Sequence, residues 1–128
     1  MKIKTTIILL GLVFSMYSCG TSFGKKKEFG NLEVFYSESV PVKYANAVGQ
    51  FFIDNQLVLE QPHSIKLTSN HKTFILKLIL DSKFTTLPSE KESELKALEL
   101  AMKNEVFKDV NFEIELCDVN FYPLNLKN

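Results

Sequence analysis

The stretch Thr73–Leu80 constrains the architecture most, because Phe74, Leu76, Leu78 and Leu80 alternate with other residues and build one apolar face at strand period. Such a face needs a covering layer. Ser64–Thr68 just before it reads as a second strand, with Ser69-Asn70-His71-Lys72 as the connecting turn. Ile75 and Ile79 fall on the opposite side of the Thr73–Leu80 strand. That apolar pair would form an interaction patch on the sheet's other face, to be covered by Phe121 and Tyr122 or by a partner.

Two helices are expected to supply the cover. Pro41 suits the first position of one, in which Ala45, Val48, Gly49, Phe52 and Ile53 recur at helical spacing. Pro88 precedes the other, with Ser89 as N-cap, Glu92 completing a capping box, and Leu95, Leu98, Met102 and Val106 as its apolar stripe. Leu32–Tyr36 alternates and is rich in strand formers. Val110–Leu116 alternates Phe112, Ile114 and Leu116 with Glu113 and Glu115. Phe121–Leu126 offers a last short strand, which Pro123 confines to an edge. The order is β-α-β-β-α-β with an extra C-terminal edge strand. It predicts an α+β, ferredoxin-like sandwich in which two helices cover one face of an antiparallel sheet.

The first residues have another character. Lys2 and Lys4 precede the apolar run Ile7–Phe14, too short to remain as a spanning helix, and Met16-Tyr17-Ser18-Cys19 resembles a lipobox. Residues 1–18 are therefore expected to be a lipoprotein signal peptide. Cys19 is the expected lipidation site, and an ordinary secretory signal cleaved near Ser18 is the alternative. Residues 19–30, mixing Gly, Ser and charge, read as a flexible tether, and 31–128 as a single domain. Gly20 stands after the cysteine where an Asp would favour the inner membrane, so by resemblance to lipoprotein sorting the expected location is the periplasmic side of the outer membrane. If Cys19 carries lipid, the other cysteine, Cys117, has no intramolecular disulfide partner.

Losing residues 1–18 removes Lys2 and Lys4 from the 15 basic residues and none of the 15 acidic ones, leaving a net charge near −2. Every basic residue is Lys, so bidentate phosphate or carboxylate recognition by Arg is excluded, and nucleic acid is not an expected partner. His63 and His71 flank the second strand as loop histidines too far apart to share a metal. Cys117 neighbours Asp118, whose carboxylate opposes thiolate formation, so a buried structural thiol is expected. The acids from Glu90 to Glu94 read as exposed helix-start residues. No cofactor is expected, because neither a phosphate loop nor a calcium loop occurs.

Leu32–Tyr36, Ala45–Ile53 and Val106–Asp118, with its Glu-Leu-Cys-Asp ending, resemble small α+β domains of bacterial envelope lipoproteins. The resemblance implies a fold and an exported setting, and carries over no activity. Two classes of function stay open. One is a non-catalytic binding or interaction module held at a membrane, with a protein partner or second copy on the sheet face. The other is a small enzyme or redox protein using Cys117.

Overall fold

The computed structural model describes residues 24–80 and 87–124, so the expected signal peptide, Cys19 and the end of the expected last strand lie outside the described residues. The fold is α+β: a five-stranded mixed sheet with two helices. The strands are β1 (Lys25–Phe29), β2 (Leu32–Tyr36), β3 (His63–Asn70), β4 (Thr73–Ile79) and β5 (Asn111–Cys117). The helices are α1 (Val42–Asp54), between β2 and β3, and α2 (Ser89–Glu105), between β4 and β5. Pro41 and Pro88 occupy the N-cap positions, so the capping box expected of Ser89 and Glu92 does not form.

Leu32, Val34, Tyr36, Ile65, Leu67, Leu76, Leu78 and Phe112 point to one face of the sheet and pack with Ala45, Val48, Phe51 and Phe52 of α1 and Leu98 and Met102 of α2. Both helices therefore cover the same face, as their single apolar stripes require. The pairing of strands corrects the expectation of an antiparallel, ferredoxin-like sheet. Strand order follows the chain, β1-β2-β3-β4-β5, and β2 with β3 and β4 with β5 are parallel neighbours. In a split βαβ arrangement another strand separates each such pair. Alternation reveals which side chains face the core, and is silent on which strand lies next door.

This order has a topological consequence. The two crossovers advance the same way across the sheet, yet β4 runs antiparallel to β3, so the second pair of strands points opposite to the first. With both helices on one face the crossovers are of opposite hand, and one of them takes the left-handed sense that βαβ units seldom adopt.

A second correction concerns residues 25–29, expected within a flexible tether. They form β1, an edge strand antiparallel to β2 in the register Lys25↔Tyr36 to Phe29↔Leu32. Two contacts stabilise it: the hairpin turn at Gly30, with φ +64°, and Phe29, whose ring packs on the bare backbone of Gly49 in α1. Three exposed lysines on an edge strand also discourage pairing with another chain.

Candidate functional site

Because β1 runs against β2, Gly24, the first described residue, lies beside Tyr36, at the end of the sheet where β2 and β3 finish and β4 and β5 begin. Gly24 is needed there. Its φ is +105°, and an added Cβ would lie 2.9 Å from the Tyr36 carbonyl oxygen. At the same end a cleft of about 440 Å³ is lined by Ser39, Ser69, His71, Lys72, Phe74, Asp109, Val110 and Asn111. The Ser69 hydroxyl donates to Ser39 Oγ at 2.7 Å, and Ser39 Oγ lies 3.0 Å from that of Ser37, making a chain of hydroxyls along one wall. Positive φ at His71 and Asp109 marks the tight turns that bring the β3–β4 loop and the approach to β5 together.

The cleft stands on a rigid aromatic base. Tyr44 meets Phe74 at 4.6 Å and Phe107 at 5.4 Å between ring centroids, and Phe107 stacks on Phe112 at 4.3 Å. Hydroxyls, an amide and the Lys72 ammonium can bind a polar or anionic group there. Among the described residues no hydrogen bond joins His71 to Ser39 or Ser69, the pairing that activates a hydroxyl nucleophile.

On the opposite face Ile79, one of the expected pair Ile75 and Ile79, is closed off by the first of its two expected covers, the chain's tail. Ile79 is only 2 % exposed, packed with Cys117, Phe121 and the half-buried Phe35. The cover comes from the chain's own tail. Asp118 Oδ1 accepts the N–H groups of Asn120 and Tyr122, turning the backbone so that Phe121, at φ +66°, lies over the strand ends, and the Lys77 ammonium donates to the Phe121 carbonyl. Tyr122 stays 66 % exposed, and its ring adds nothing to the cover. Ile75 is half-buried between Thr68 and Glu113 on the neighbouring strands. The expected last strand is reduced, among the described residues, to one bridge between Cys117 and Pro123.

Cys117 lies in this closed patch. Burial, with Glu115 and Asp118 adding to it against the opposing Lys77 ammonium, pushes its thiol up to about 12. Its Sγ donates weakly to the Glu115 carbonyl at 3.8 Å. At neutral pH it is a protonated thiol under a lid, the opposite of an activated nucleophile.

His63 also departs from expectation. It is 3 % exposed at the start of β3 rather than a solvated loop residue. The Leu59 N–H donates to Nε2 at 3.4 Å, so Nδ1 carries the proton and donates to the Gln61 carbonyl at 2.9 Å. Burial pulls its pKa down, and the imidazole is a neutral latch for the 57–62 loop. His71 lies exposed at the other end of β3, so the two histidines are as far apart as their spacing implied. Among the described residues no three His, Cys, Asp or Glu side chains gather into a metal site, and no helix is long and apolar enough to cross a membrane.

The hydroxyl-lined cleft carried no sequence signal beyond His71, because Ser39, Ser69 and Asn111 come from three separate segments. The β1 hairpin did carry one. Gly30-Asn31 is a two-residue turn of the kind that joins strands, and Phe29 before it is the single apolar anchor. Comparison of the chain with protein-family models, curated proteins and solved structures finds no match.

Proposed function

We propose that the protein is a lipid-anchored envelope protein whose folded body is a non-catalytic interaction module. The observation that carries this reading is the position of Cys19. It ends a lysine-led apolar run and stands five residues before Gly24, where the described fold begins. A thioether-linked lipid at that sulfur would hold the body against a bilayer, since several acyl chains give the lasting attachment that one chain does not. The outer membrane, periplasmic side, is the location in keeping with Gly20. The buried, protonated thiol of Cys117 favours this reading over a cysteine-based enzyme or redox protein.

A protein partner on the sheet face would first have to displace Phe121 from Ile79. The polar cleft at the end where the tether leaves is the more accessible interaction surface. The test is intact mass spectrometry of the native product together with its Cys19→Ala variant. An N-terminus at an acylated Cys19, lost in the variant, is the expected result. A product that retains Met1 and has no acyl groups would sink the proposal.

A further inference from the structure

The charged side chains are sorted along the strand axis, an arrangement that sequence order conceals. At the end where Gly24 enters, the fold collects Lys25 from β1, Lys43 from the first turn of α1, Lys72 from the β3–β4 turn and Lys108 from the approach to β5. All four are exposed. They are opposed there by Glu38, Asp109 and the exposed Glu113, which the register places one residue nearer that end than Lys25, while Lys103 and Glu105 in the last turn of α2 offset each other. Lys26 is already engaged by Glu28 and Glu33.

The other end is acidic. Asp54 and Glu60 lie at and beyond the end of α1, Glu90, Glu92 and Glu94 in the first turns of α2, and Asp118 just past β5. Among the described residues Lys91, 3.9 Å from Glu94, stands against them at that end, with Lys96 five residues further along α2. The direction of α2 is fixed by two contacts, Glu99 to the Ile114 N–H and Lys103 to the Val110 carbonyl, which place its start at the acidic end. A mature chain with a net charge near −2 is thus a polarised body, with its tether at the positive pole.

We propose that this pole, the rim of the cleft included, is a docking surface for an anionic lipid bilayer, with Lys25, Lys43, Lys72 and Lys108 meeting the headgroup phosphates. The proposal rests on the reading of Cys19 as lipidated. Three observations converge on it. The leash is short, since five residues span at most about 17 Å. It leaves from the basic end, so the acidic pole is the one held away from a negative surface. The Ser39 hydroxyl, Asn111 and the Lys72 ammonium in the cleft are groups that phosphate oxygens accept from, with the Asp109 carboxylate beside them in opposition. The formation of β1 is what shortens the leash. Had residues 25–29 stayed flexible, the body would have been free to turn either pole to the membrane.

The lipidated mature chain, reconstituted in vesicles of phosphatidylcholine alone or mixed with phosphatidylglycerol, tests this by footprinting with an amine-reactive ester read by peptide mass spectrometry. Labelling of Lys25, Lys43, Lys72 and Lys108 should fall several-fold in the anionic vesicles and return at high salt, while Lys91 and Lys96 stay unchanged. Equal labelling of both poles in anionic vesicles, with the acyl mass present on Cys19, overturns the docking surface and leaves the anchor intact. If the acyl mass is missing, the anchor reading fails by itself. The Cys19→Ser protein at low salt then decides the surface: Lys72→Gln and Lys108→Gln should each weaken binding to phosphatidylglycerol vesicles about fivefold, and unaltered binding in both variants overturns the proposal.

Discussion

Replacing Gly49 by alanine tests how β1 is held to the body. A Cβ on Gly49 would fall against Cε1, Cδ1 and Cζ of the Phe29 ring, far inside ordinary contact distance. The ring has to retreat by more than 1 Å, the shortfall from a normal contact of about 3.5 Å. Two effects oppose each other. Alanine in a helix interior is worth about 1 kcal/mol over glycine. Against it stand an overpacking cost of about 1–3 kcal/mol and the loss of part of the burial of Phe29. The clash is the larger, and Gly49→Ala is expected to destabilise by about 1–2 kcal/mol, roughly 5–15 °C in Tm for a domain of this size. Urea unfolding followed by circular dichroism measures it. In a Phe29→Ala background the clash is gone, so the same substitution should reverse sign and stabilise by about 1 kcal/mol. Hydrogen exchange should show the damage at residues 25–29 and spare β3 and β4. A neutral or stabilising Gly49→Ala in the wild-type background would refute the argument, because the ring would then be free to move without loss.

Cys117, with its thiol pushed up to about 12 from 9.0, should react with iodoacetamide at pH 8 about a thousandfold more slowly in the folded protein than after unfolding. A rate close to that of the unfolded chain would mean the lid does not exist. Asp118→Ala removes the acceptor of two N–H groups that turn the tail, and should cost about 1–3 kcal/mol while raising the alkylation rate of Cys117 as Phe121 lifts. Unchanged reactivity in that variant would separate the turn from the lid. His63 has a pKa lowered from 6.5, so its stabilising contribution is complete above about pH 6.5 and is lost as pH falls through its folded-state value. Protonated Nε2 would confront the Leu59 N–H, a donor against a donor. The drop in urea midpoint between pH 7.5 and pH 5.5 should therefore shrink in His63→Asn, and an identical drop in both proteins would assign the titration elsewhere.

Much of the local structure is written in the chain. The alternation of Phe74, Leu76 and Leu78, the helical spacing of Ala45, Val48 and Phe52, and the prolines before each helix act within a few residues, and the elements formed where those patterns lie. The choice of buried face follows from the same patterns, which is why both helices meet one side of the sheet. Neighbours were decided by packing. Parallel pairing of β2 with β3 and of β4 with β5 depends on contacts between segments 31 and 38 residues apart, to which a two-residue period is blind. Lys25-Lys26-Lys27 has no strand pattern of its own and becomes β1 only because β2 offers an edge and Gly49 leaves room for Phe29. Phe121 closes over Ile79 through a turn built by Asp118, and the hydroxyl cleft and the basic pole collect residues from up to four segments. Periodicity specifies each element separately. Where side chains from different elements meet depends on the shape and room that packing leaves.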